Sequence, residues 1–194
     1  MTDVFTVLRA DHEQLKSMIA RLEDGPKMID GASMEQLWLR QQLAADLIFE
    51  EARHEAAEQQ CFWPAVQELG PDGARVAELA LEQEQEAEQV LSELSKLSAD
   101  DPRFEEVLAM FIRGARAHIS YEEAHAWPLL SVEITQPRAE EMGEEIARAK
   151  VTAPTRPHPT IPPQGGSQRA AGPMAAAVAA ADKIRDALTG RGRP

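Results

Sequence analysis

The chain has 194 residues, with 20 Lys and Arg against 33 Asp and Glu and a formal net charge of −13. That balance excludes nucleic acid and anionic membranes as partners, since both repel an acidic surface. The single cysteine, Cys61, excludes an intrachain disulfide and points to a reducing compartment. No apolar run approaches membrane-spanning length and the N-terminus has no basic-then-apolar signal pattern, so a soluble, cytoplasmic protein is expected.

The first predicted helix carries Val4, Phe5, Leu8, Leu15, Met18, Ile19 and Leu22 at helical spacing and stops at Gly25-Pro26. A second begins near Met34, carries Leu43, Leu47, Ala57, Cys61 and Phe62 along one stripe, and ends by Gly70-Pro71, with Pro64 loosening its last turns. A third runs from about Gly73 to Leu97. Asp101-Pro102 marks the start of a fourth, the acid as N-cap and the proline in the first position, which continues to Leu129. No segment alternates with period two. The expected fold is all-α, an up-down-up-down antiparallel four-helix bundle over residues 1–132, followed by a short extra helix within 133–150. Residues 151–194 read as a Pro- and Ala-rich flexible tail, with an extended linker to Gly172 and a terminal helix from Pro173 to Leu188. The tail is basic: beyond Ala149 the chain carries +5, and the first 149 residues carry −18.

Two segments match register for register. His54 and His118 are each followed by a glutamate four residues on (Glu58, Glu122), a tryptophan nine on (Trp63, Trp127) and a proline ten on (Pro64, Pro128). Residues four apart project from one helix face, so two such helices can hold metal ions between them. Aligning His12 with Glu84 extends the repeat to the first and third helices, giving two helical hairpins related by a pseudo-twofold axis. His12, His54 and His118 all lie within apolar stripes of three different helices, and Glu84 lies in an apolar sector formed by Ala77, Ala80, Leu81, Ala87 and Leu91. Buried carboxylates are costly unless paired or metal-bound, and a shared metal site satisfies the whole set. Glu88, one turn after Glu84, falls at the sector border and reads equally as ligand or surface acid. Trp63 and Trp127 read as core at the bundle end, Cys61 as an inert buried thiol and His125 as a satisfied core histidine.

The pattern of a first-helix histidine, HxxxE on the second helix and HxxxE on the fourth resembles the hemerythrin-like (HHE cation-binding) family over residues 1 to about 132. His12, His54 with Glu58, and His118 with Glu122 carry the match. The chain departs from it on the third helix, where the family's histidine falls on Glu84 and a further histidine of the oxygen carriers falls on Glu88; this helix has no histidine at all. The resemblance implies a non-haem centre of two iron ions, oxo- or hydroxo-bridged, with Mn/Fe or Zn as alternatives. Glu58 and Glu122 would bridge; His12 and His54 would complete one ion, His118 with Glu84, and Glu88 as an option, the other. Glu123 is an alternative to Glu122 as bridge, and Tyr121 is either a ligand or packing. The implied function is reaction with, or sensing of, O2, peroxide or nitric oxide, with no protein partner specified. Alternatives are iron storage, an iron- or gas-responsive binding module without turnover, or a vestigial site; whether the protein is an enzyme stays open.

Overall fold

The computed structural model describes residues 2–158 and 173–189, and every regular element among them is helical. In chain order these are α1 (Val4–Asp24), a 3-10 turn (Met28–Asp30), α2 (Met34–Cys61), α3 (Trp63–Gln67), α4 (Pro71–Leu94), α5 (Phe104–Tyr121), a π-helical segment (Glu122–Ala126), α6 (Trp127–Ser131), α7 (Gln136–Thr152) and α8 (Pro173–Thr189). Helices α1, α2, α4 and α5 are the four of the expected bundle. Local chemistry sets their starts. Asp3 caps α1 by accepting the Thr6 N–H at 2.8 Å. Ser33 and Gln36 form a reciprocal capping box on α2. Gly70, at φ +93°, turns the chain into α4.

The boundaries differ from expectation where side chains compete with the helix. Asp101 does not cap the fourth helix directly: its carboxylate takes the Arg103 N–H at 2.8 Å in a turn, and α5 begins at Phe104. Helix α4 starts two residues early, at Pro71, and gives way at Ser95 to turns bonded i to i+3. Pro64 breaks the second helix at Phe62, but the equivalent Pro128 is preceded by a wider, π-helical turn.

The interior is layered. One apolar cluster, including Leu15, Ile19, Leu47, Leu91 and Phe111, fills one half of the bundle. A second, including Leu8, Phe62, Trp63, Leu81 and Trp127, fills the other. The buried histidines and glutamates lie between them. Arg40 ties three helices: it grips Glu105 of α5 with two bonds of 2.7 Å and donates to the Leu22 carbonyl of α1 at 2.6 Å. Trp38, which the sequence leaves unassigned, is exposed.

Helix α7 packs along α1 and α2, with Met142 and Ile146 fully buried. Gly143 permits this approach, because a Cβ there would stand 2.3 Å from the Thr2 carbonyl oxygen. Gly143→Ala is therefore expected to destabilise the fold by about 1–3 kcal/mol through displacement of α7; an unchanged melting temperature would refute this. Of the stretch expected as an extended linker, α7 takes residues 151 and 152, and residues 153–158 are held in place: the Thr155 N–H and hydroxyl bond to Asp182 and Asp186 of α8 at 3.1 and 2.5 Å. The rest of that linker lies outside the described residues.

Candidate metal centre

Six of the buried polar side chains converge in two groups. His12, His54, Glu58 and Glu122 form one; Glu58, Glu84, His118 and Glu122 form the other, and within each the ligand atoms lie within 4.8 Å of one another. Glu58 and Glu122 are common to both. His12 comes from α1, His54 and Glu58 from α2, Glu84 from α4, His118 from the end of α5, and Glu122 from the start of the π-helical segment.

Each imidazole is oriented the same way. The Nε2 atoms point inward: His12 to Glu122 at 2.9 Å, His54 to Glu58 at 3.3 Å, and His118 to Glu122 at 3.2 Å. The Nδ1 atoms face outward, in hydrogen bonds to Glu123 at 3.0 Å for His12 and Gln83 at 3.1 Å for His118, and in a looser ion-pair contact of 3.5 Å to Asp11 for His54. Glu123 and Asp11 are themselves steadied by Lys16 and Lys150, at 3.0 and 2.5 Å. An outer acceptor that takes the Nδ1 proton leaves the Nε2 lone pair free for a cation.

The π-helical segment explains how adjacent residues serve one histidine. Its wide turn lets Glu122 meet His12 Nε2 while Glu123 meets Nδ1, in keeping with the habit of such segments to occur at functional sites. Glu123 is thus outside both groups. Tyr121 is outside too, its hydroxyl donating to the Val76 carbonyl at 3.3 Å. Glu88 is half-buried and accepts the His158 N–H at 2.9 Å. His125, expected in the core, is exposed and lies against the Tyr121 ring, because the π turn rotates it outward. Cys61 is half-buried, its thiol pushed up to about 11 by burial.

The two repeat tryptophans do more than fill the core. Trp63 donates its indole N–H to Glu84, whose other oxygen accepts from Gln59 at 2.7 Å. Trp127 stacks on the His12 ring with centroids 5.0 Å apart, and Arg9 covers the Trp127 ring. Sequence periodicity put both indoles inside but carried no signal of these pairings. It also missed Asp11 and Gln83, each a near neighbour in sequence of a ligand-type residue.

The family profile of the hemerythrin HHE cation binding domain matches residues 3–130. The chain belongs to that family. A crystal structure of a hemerythrin HHE cation binding domain-containing protein from Mycobacterium kansasii shares the fold, with a TM-score of 0.63 at 23% identity, covering 78% of this chain and 86% of that one. No curated protein matches. Among the described residues, no helix is long and apolar enough to cross a membrane.

The donor set of this HHE domain fits a pair of cations. His12 Nε2, His54 Nε2, His118 Nε2 and all four carboxylate oxygens of Glu58 and Glu122 are buried with no hydrogen-bond partner among the described residues. So many inward-facing acceptor atoms call for positive charge. Burial and then the neighbouring Glu122 push Glu58 well above the usual carboxylate range, and burial lifts Glu84 to about 7. Glu122 goes the other way: burial alone would raise it, but the charge of His118 and close contacts from His118 and His12 hold it well below its ordinary value. Burial would lower His118, yet Glu122, followed by Glu84, raises it to about 9. Without metal, a proton on His118 takes the place of cationic charge.

These shifts predict an inverted pH response. Burial also lifts Glu51 to about 7 and, with the charge of Glu51, Glu55 well above 4.5. A carboxyl whose folded pKa exceeds its unfolded value stabilises the fold fully below the unfolded value and loses that contribution as pH rises through the folded one. His54, lowered by burial from 6.5, opposes this, and Glu122, held low, has nearly all of its stabilising effect in place by pH 4.5, so the four raised carboxyls dominate above it. The metal-free chain should lose stability from pH 4.5 toward 7, and its melting temperature should drop by more than about 5 °C over that range. The loaded chain should lack that drop. Calorimetry with and without chelator decides it; parallel pH profiles would count against the site.

Proposed function

We propose that the HHE domain holds two iron ions, with Glu58 and Glu122 as shared bridges, His12 and His54 completing one position, and His118 and Glu84 the other. It acts in the cytoplasm as a non-haem di-iron protein that reacts with or senses O2, peroxide or nitric oxide. The observation that carries this reading is the sharing of two buried glutamates, without hydrogen-bond partners, between two sets of ligand-type side chains. Bound iron would supply redox chemistry toward a small diatomic or peroxide ligand.

The residues of the chain prepare the place for it. Asp11, Gln83 and Glu123 orient the imidazoles and raise their basicity. Trp63 and Gln59 hold Glu84 in one rotamer, each donating to one of its carboxylate oxygens, and Glu84 would serve the ion beside His118. The stacked Trp127 and the apolar layers on either side keep bulk water from the ligand atoms. An anionic Glu84 in place of a neutral imidazole lowers the net positive charge of the site and favours the more oxidised metal. That balance suits turnover or sensing better than reversible carriage of oxygen.

Two measurements test the reading. Elemental analysis of protein produced with ample iron should find two ions per chain, and less than one would refute the assignment. The iron-loaded protein, mixed with hydrogen peroxide, should consume it faster than free iron does. Spectral change without consumption would point to sensing instead.

A further inference from the structure

The pseudo-twofold repeat continues into the residues around the ligand groups. Matching His54 and Glu58 to His118 and Glu122, and His12 to Glu84, also pairs Asp11 with Gln83 and Glu123 with Gln59. The contacts obey the same symmetry. Within each hairpin, the residue before His12 or Glu84 meets the Nδ1 of the HxxxE histidine: Asp11 lies 3.5 Å from His54, and Gln83 lies 3.1 Å from His118. Across the hairpins, the residue after each shared glutamate meets His12 or Glu84: Glu123 lies 3.0 Å from His12 Nδ1, and Gln59 donates to Glu84 at 2.7 Å. Charge is what differs. Neutral His12 goes with two outer acids, ion-paired to Lys150 and Lys16, whereas acidic Glu84 goes with two neutral amides.

Hydrogen-bond sense accounts for Gln59, since an anionic Glu84 needs donors. It does not account for Gln83. His54 and His118 both turn Nδ1 outward, and a carboxylate is the stronger acceptor, yet only His54 faces one. Exposure does not separate the two positions either, for Asp11 and Gln83 are both half-buried. What separates them is the next residue in the chain, a histidine after Asp11 and an acid after Gln83.

We propose that Gln83 is a positioning residue that offsets Glu84: it orients His118 through a neutral amide, so that the two ion positions stay close in redox preference although only one has an acid in place of a second imidazole. The proposal rests on the metal-centre reading above. A carboxylate at Nδ1 draws on the ring proton and pushes charge onto Nε2. Extra charge on a donor atom stabilises the oxidised metal, as the charge of Glu84 itself does. An acid at position 83 would add the second effect to the first on the same ion. Asp11 and Glu123 supply that push instead on the side where His12 and His54 are both neutral.

The test is the reduction potential of the iron-loaded full-length chain, followed by its optical spectrum. Gln83→Glu keeps the size of the side chain and adds the charge; it should favour the oxidised form about tenfold, a fall of about 60 mV. Asp11→Asn should move the potential the opposite way. Placed on Glu84→His, Gln83→Glu should cancel at least half of the rise which that change causes alone. A second readout is the Nδ1 proton of His118 in the Co(II)-loaded chain, whose NMR resonance should move in Gln83→Glu. A packing role for Gln83 would alter the melting temperature and leave potential and resonance in place. Wild-type potential in Gln83→Glu at full iron content overturns the proposal and leaves the centre standing. If that variant does not load, an unchanged potential in Asp11→Asn overturns it equally. Less than one iron per wild-type chain overturns the centre and this proposal with it.

Discussion

Replacing His54 and His118 together by alanine should empty the protein of metal. Each removes one of the inward Nε2 donors, one from each group, and loss of even an outer partner of a metal ligand typically costs 10–100-fold in affinity. Losing a ligand from both positions should therefore cost well over about 100-fold at each. The variant should also be less stable than the metal-free wild type. Glu122 would lose its contact with His118 and keep only that with His12, and stranding a buried charge costs about 3–5 kcal/mol. Elemental analysis and thermal melts would show both effects. Retention of two ions per chain would mean that the ligands lie elsewhere, whatever happened to stability.

The second large effect is expected at Glu84. Glu84→His replaces an anionic donor with a neutral one, so the iron-loaded centre should become easier to reduce. A rise of more than about 60 mV is expected, a tenfold change in one-electron preference, together with a spectrum nearer that of a histidine-rich centre. Glu84→Ala should instead weaken the ion beside His118 and spare the one between His12 and His54, because Glu84 belongs to only one group. Trp63→Phe should mimic part of that loss by removing the indole that fixes the carboxylate. If potential, spectrum and metal content all stay at wild-type values in both Glu84 variants, Glu84 is an interior acid without a metal.

Much of this is legible in the chain. Apolar spacing sets four long helices, and the paired HxxxE segments with their tryptophans and prolines mark two of them as facing a common interior. The position of Glu84 within an apolar sector marks it as an interior acid by spacing alone. Those features are properties of a single helix face, which 3.6-residue periodicity reports directly. Periodicity also has its errors. It places His125 in the core, and it takes the fourth helix as unbroken from Asp101-Pro102 onward.

What only the tertiary structure decided is which polar groups meet. The π-helical turn at Glu122–Ala126 aims two consecutive glutamates at the two nitrogens of His12, which no regular helix allows. The acceptors Asp11 and Gln83 sit beside ligand-type residues in sequence, yet each serves a histidine from a different helix. Glu51 and Glu55 read as ordinary helical acids until packing shuts them away from water. The clasp of residues 153–158 on α8 depends on carboxylates more than twenty residues distant. Burial of a charge and its pairing across helices are set by how the faces pack, and side-chain spacing along one helix carries no record of what the neighbouring helix presents.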